Sequence, residues 1–224
     1  MKKNHAPIDL WSFRLSESRD QLAACRSTLT ETEQARAEKF LKPSDQERYV
    51  LCRGILRRIL AELLHTDPTD IEFERNAQGK PYLPGGELDF NLSHSRDRLL
   101  IASTSDRAVG VDIEFRRDGI PMDAIAARWF AAQEKQFFQG LENPRNGFFD
   151  IWAKKEAYVK ARGEGIFREL SSFCVPLPQH EIKEPANVPT GWGFQGLEID
   201  PDYSAALVWK KHADNEHPPE VRFL

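Results

Sequence analysis

The chain has 224 residues, 40% hydrophobic and 29% charged, and 31 Lys and Arg against 35 Asp and Glu leave a formal net charge of −4. This suits one large folded domain or two small ones and is too apolar for general disorder, while the acidic balance argues against a generic binder of nucleic acid or anionic membrane. No apolar run approaches the roughly 18 residues of a membrane span, and Met1 to Pro7 lack the apolar core of a secretory signal, so a cytoplasmic location is expected.

Along the chain, Thr30 with Glu33 and Ser44 with Glu47 have capping-box spacing and predict two helix starts. The second helix is expected over about 45–64, with Leu51, Ile55, Ile59 and Leu63 in one apolar row and Leu56, Leu60 and Leu64 in the next. Short strands follow at Ile71 to Glu74, Leu88 to Leu92, Leu99 to Thr104 and Ala108 to Phe115, separated by glycine turns. Helical patterning returns at about 122–130, 132–139 and 146–161, the last two stopped by Gly140 and Gly163. Strands are expected again at Phe173 to Val175, Trp192 to Ile199 and Ala205 to Trp209. Helices then strands, twice over, predict an α+β chain of two comparable halves meeting near residues 105–110. Cys25, Cys52 and Cys174 lack the spacing of a zinc site or a disulfide scaffold and are expected to be reduced, buried fillers.

Three short segments carry chemistry-bearing side chains. In Val109-Gly110-Val111-Asp112-Ile113-Glu114, strict alternation puts Val109, Val111 and Ile113 on a core face and Gly110, Asp112 and Glu114 on the other. Two carboxylates two residues apart on a strand stand about 7 Å apart at Cα and can converge on one cation, although composition alone supplies about five such pairs. In the helix through Trp152, Glu156 and Lys160, these three share an i, i+4, i+8 column. Glu156 and Lys160 there are either a surface ion pair or a third oxygen ligand beside a phosphate-neutralising ammonium. Phe90-Asn91-Leu92-Ser93-His94-Ser95 reads as a strand ending in hydroxyls and an imidazole, a set that suits either a packed turn or an anion, and Lys80 in Gly79-Lys80-Pro81 lies just upstream.

The order Gly79-Lys80-Pro81, Phe90 to Ser95, Gly110 to Glu114, then Trp152 to Lys160 resembles the 4'-phosphopantetheinyl transferases of the surfactin-synthetase-activating type, over roughly residues 30–175. Trp129-Phe130 with Glu134, and Gly163-Glu164-Gly165, also fall where that family has comparable residues. The resemblance implies a pseudodimer of two similar α+β halves, here 1–107 and 108–224, acting as a monomer with coenzyme A in the cleft between them. It implies transfer of the phosphopantetheine arm of coenzyme A to a serine of an apo acyl or peptidyl carrier protein, releasing adenosine 3',5'-bisphosphate. A nucleotide-pyrophosphate hydrolase and a non-catalytic coenzyme or carrier binder are the alternatives.

Residue by residue, the resemblance makes Asp112, Glu114 and Glu156 the ligands of Mg²⁺, with Mn²⁺ as the other candidate ion. Glu156 is also the general base, with metal-bound hydroxide as its rival. Lys160 lies at the pyrophosphate. His94 with Ser93, and Arg48, match the group that holds the 3'-phosphate and pyrophosphate, and Lys80 fits the same pocket. Arg36 stands where relatives carry a basic residue and Arg53 is a further candidate, whereas Glu33 stands where some relatives carry another base.

Overall fold

The computed structural model describes residues 5–163, 170–177, 187–213 and 217–224. Met1 to Asn4, and the pair Glu164-Gly165 singled out above, lie outside the described residues. The first half runs β1 (Ile8–Arg14), a 3₁₀ turn (Leu15–Gln21), α1 (Leu22–Ser27), α2 (Glu31–Glu38), α3 (Pro43–Leu64), β2 (Glu74–Arg75), β3 (Pro81–Tyr82), β4 (Asp89–Ser95) and β5 (Arg98–Thr104). The second runs β6 (Val109–Phe115), α4 (Met122–Trp129), α5 (Ala132–Gln139), α6 (Pro144–Arg162), β7 (Trp192–Leu197), β8 (Tyr203–Lys210) and β9 (Val221–Phe223). The class is α+β, as expected.

Two sheets carry the fold. One is ordered β4-β5-β1-β9 and the other β6-β8-β7; β1 pairs antiparallel with β5 and parallel with β9, so the last strand of the chain joins the sheet built by its first half. Alternation along the strands sorts side chains into layers. In β5, Leu99 and Ile101 join the core under α3, while Leu100 and Ala102 turn to the space between the sheets. In β8, Ala206 and Val208 pack toward α6, while Leu207 and Trp209 meet Ile8, Leu10, Val109, Val111 and Ile113 in that same central layer. The order is helix, sheet, sheet, helix, and the expected facing of β6 is observed.

Helix boundaries follow from identifiable residues. Thr30 and Glu33 form the expected capping box at α2, and α3 and α6 end in left-handed residues, His65 at φ 54° and Gly163 at φ 67°. Ser44 does not cap α3: Pro43 takes the first turn, where its missing N–H costs nothing, and Lys42 becomes the flanking residue. The strand expected at Ile71 to Glu74 shrinks to Glu74–Arg75 because the Ile71 carbonyl accepts from the Arg57 guanidinium (2.9 Å) instead of a neighbouring strand. No strand forms at Phe173 to Val175. The Phe173 carbonyl accepts from the Lys155 ammonium (2.7 Å) and the Val175 N–H donates to Glu134 (2.9 Å), so side chains satisfy the groups on one side of the segment, while the Cys174 N–H on the other donates to the Asn187 carbonyl (3.2 Å). All three cysteines are buried and free, and burial pushes the Cys52 thiol up to about 12. No helix among the described residues is long and apolar enough to cross a membrane.

Candidate active site

The two sheets meet where β4 lies beside β6, and the contact is made by side chains rather than by a backbone ladder. Asp89 accepts from the Val109 N–H (3.1 Å), Asn91 from the Val111 N–H (2.9 Å) and Ser95 Oγ from the Phe115 N–H (3.0 Å). The fourth member of this period-two row, Ser93, donates instead to Asp112 Oδ1 (2.8 Å). The stretch Phe90 to Ser95 is therefore a continuous strand whose polar face closes the free edge of β6, not a strand end opening into a turn.

α6 crosses the outer face of β6 at close range. A Cβ on Gly110 would lie 2.2 Å from the Ala157 carbonyl oxygen and 2.4 Å from the Ala161 nitrogen, so only glycine admits the helix this near. The approach brings Lys160 to the seam, where its Nζ donates to Ser93 Oγ (2.9 Å) and Asp112 Oδ1 (2.6 Å). Asp112 is 3% exposed, and its other oxygen, Oδ2, is buried without a hydrogen-bond partner. An orphaned carboxylate oxygen is costly in a protein interior and is what a hard cation would satisfy.

Glu114, two residues on, accepts from Ser95 Oγ (3.1 Å); burial and then the negative charge of Asp112 raise its carboxyl above the ordinary range. Burial first and Asp112 next push Glu156 up to about 7, against the opposing pull of Lys160. No choice of one oxygen from each carboxylate puts all three within 4.8 Å of one another, so side-chain rotation must accompany any shared ligand. The three form an acidic group facing one ammonium, with a donor set suited to Mg²⁺ or Mn²⁺.

The basic residues fall in three places. His94 faces the α3 side of β4 and is exposed at its edge; protein bulk, then the charges of Arg48 and Lys160, push its imidazole below the ordinary range. Arg48, half-exposed on α3, is tethered to Asp45 (2.7 Å). The charges of Arg48 and Lys160 thus both reach His94, and Lys160 touches its neighbour Ser93. Lys80 is placed elsewhere: its Nζ lies 3.3 Å from Asp89 Oδ1 and 3.3 Å from the Val109 carbonyl, and Asp89 stands roughly 13 Å from Ser93 along the strand. Arg53 is ion-paired with Glu33 and stacks 3.8 Å from the Phe73 ring centre, and Arg36 lies 5.7 Å from that of Tyr49. These four and Glu33 line a cavity of about 710 Å³, in which Glu33, where a base was looked for, neutralises Arg53 and Arg57.

Sequence reasoning missed the support beneath α6. Lys155 is fully buried, donating to the Leu170 and Phe173 carbonyls (2.7 Å each) and to Glu134 Oε2 (2.8 Å); Glu134 in turn accepts from the Ala131 and Val175 N–H groups (2.7 and 2.9 Å). The pair locks α5 and the 170–175 segment to the helix that carries Glu156 and Lys160. Glu134 was marked by the family resemblance, but its partner is signalled only by two adjacent lysines, of which one must face inward on the helix.

Two family models cover the chain in succession. One described as the 4'-phosphopantetheinyl transferase superfamily matches residues 108–208, and one described as 4'-phosphopantetheinyl transferase, N-terminal, matches residues 14–106. The chain is 34% identical over 203 residues to the 4'-phosphopantetheinyl transferase HetI of Nostoc sp., covering 87% of this chain and 83% of that one. It is 34% identical over 224 residues to the transferase psf-1 of Bacillus pumilus (94% and 91% covered) and 27% identical over 187 residues to Sfp of Bacillus subtilis (81% and 82%). The chain belongs to the 4'-phosphopantetheinyl transferase superfamily. The two matched regions fit the two-half reading of the sequence.

Proposed function

We propose that the protein transfers the 4'-phosphopantetheine arm of coenzyme A to a serine of an apo acyl or peptidyl carrier protein, as a monomer and with Mg²⁺ as its ion. The observation that carries this reading is Asp112: one oxygen held by Ser93 and Lys160, the other orphaned, with Glu114 and Glu156 beside it. The halves 1–107 and 108–224 contribute opposite walls, Ser93, His94 and Arg48 from one and Asp112, Glu114, Glu156 and Lys160 from the other.

Asp112, Glu114 and Glu156 are the residues that would hold the ion, which when bound supplies positive charge to the pyrophosphate oxygens. His94, Ser93 and Arg48 bind phosphate by charge and hydrogen bonding. Arg36 and Arg53, in the 710 Å³ cavity, serve the nucleotide end of the coenzyme, and Lys80 braces the seam. In the transfer, the serine oxygen bonds to the phosphorus of the pantetheine-side phosphate and the anhydride P–O bond breaks. Adenosine 3',5'-bisphosphate leaves with that electron pair. The serine proton passes to Glu156, the carboxylate on α6 beside Lys160. Lys160 offsets the charge that grows on the departing phosphate.

The test is intact-mass analysis of a panel of apo carriers incubated with the protein, coenzyme A and Mg²⁺, with and without chelator. A gain of one phosphopantetheine arm on the carrier serine, lost with chelator, is expected. Coenzyme A consumed without any carrier would instead mean a hydrolase, and coenzyme A bound but never spent would mean a binding module; either overturns the proposal.

A further inference from the structure

At the connection from β5 to β6, three segments distant in sequence bring together two imidazoles and a carboxylate. His5 lies just before β1, Asp106 in the β5–β6 connection, and His212 just after β8. His212 Nε2 is 3.1 Å from Asp106 Oδ2, and His5 Nδ1 is 3.6 Å from the same oxygen. The three donor atoms all lie within 4.8 Å of one another, alone among the described His, Cys, Asp and Glu triples. The two rings stack at 4.2 Å with an 18° tilt, so both present a nitrogen to the same carboxylate.

We propose that His5, Asp106 and His212 form a divalent-metal site of the zinc class that staples the N-terminal segment and the β8 exit to the junction between the halves. Two imidazole nitrogens and one carboxylate oxygen, with a fourth position open to water, are a borderline-soft donor set; that selects zinc over magnesium, the reverse of the all-carboxylate group at Asp112. Ligands about 2.1 Å from a tetrahedral ion sit roughly 3.4 Å from one another, and the observed 3.1 and 3.6 Å edges bracket that value. Rotation of the partly exposed His5 ring closes the third edge.

The carboxylate is already fixed for this role. Asp106 Oδ1 accepts from Arg107 Nε (2.8 Å), and Oδ2 accepts from the Ala6 N–H (2.9 Å) and Arg107 Nη2 (3.3 Å). These bonds hold the carboxylate in place with Oδ2 turned to both imidazoles.

The experiment is a zinc titration by calorimetry of tag-free, chelator-stripped protein, in excess Mg²⁺ so that a hard cation fills any carboxylate site. The wild type should bind one more equivalent of zinc than either His212→Ala or His5→Ala. A hundredfold excess of zinc over its dissociation constant should raise the wild-type melting temperature by roughly 5–10 °C and leave both variants unmoved. Both variants replace partly exposed side chains, and carrier modification in Mg²⁺ should stay at the wild-type rate. No zinc bound by the wild type, or equal stoichiometry and equal zinc-dependent melting shifts in all three proteins, would reduce the cluster to hydrogen bonding and overturn the proposal.

Discussion

Gly110→Ala tests whether the distance between α6 and β6 sets the chemistry. The added methyl would meet the Ala157 carbonyl oxygen at 2.2 Å, and ordinary contact begins at 3.4 Å, so helix and strand must part by the difference, 1.2 Å. Both clashing groups are backbone, so no neighbouring rotamer relieves them, and trimming Ala157 or Ala161 to glycine cannot restore the wild-type spacing. Overpacking of this kind costs about 1–3 kcal/mol in stability. A displacement of about 1 Å between catalytic groups costs about a hundredfold in rate, and here it separates Lys160 and Glu156 from Asp112. The predicted outcome is a kcat/KM for carrier modification reduced about a hundredfold, with the fold retained by circular dichroism. Rates and melting temperature equal to wild type, or rescue by Ala157→Gly, would refute the reasoning.

Glu156 makes the ion-free protein sensitive to pH. Its carboxyl binds a proton more tightly in the folded state, at about 7, than at its ordinary 4.5, so folded stability falls as pH rises between these values, by up to about 3 kcal/mol. Glu156→Gln should match the wild type near about pH 4 and exceed its stability at about pH 8 in denaturant melts with chelator, while losing transferase activity; identical pH profiles would contradict this. Lys155→Ala leaves Glu134 buried without its cation and should cost about 3–5 kcal/mol, whereas Lys154→Ala, which removes one bond to the Pro176 carbonyl, should cost well under half as much in the same urea melts. His94→Ala should raise the KM for coenzyme A more than for dephospho-coenzyme A, and equal effects on the two would place His94 away from the 3'-phosphate.

The sequence made legible whatever a single element decides. α3 was readable from its apolar rows and α6 from helical patterning stopped at Gly163, and the facing of Asp112 and Glu114 from strict alternation. β1 was not, because it is a central strand: Ile8 and Leu10 face the second sheet while Trp11 and Phe13 pack toward α3, which erases the alternation of a half-buried strand. β9 is three residues long and exists only through pairing with β1 at the far end of the chain. At the site, the motif residues were legible through family resemblance, but their connections were not. That Asp89, Asn91, Ser93 and Ser95 share a period of two is visible in the sequence; that this row meets the free edge of β6 depends on how two sheets pack. The same holds for Lys80, drawn to Asp89, and for Arg53, drawn to Glu33: each cation has a partner that only the tertiary arrangement supplies.

The most direct test of the central claim, that Asp112 at the seam between the sheets organises phosphopantetheine transfer, is the time course of carrier mass gain for wild type and Asp112→Asn across a Mg²⁺ titration. Asparagine keeps the shape and one acceptor for Ser93 and Lys160 but removes the charge. The account predicts a fall of at least about a hundredfold in rate with the wild-type circular dichroism spectrum retained. A variant that modifies carriers at the wild-type rate, with the same Mg²⁺ dependence, would contradict it.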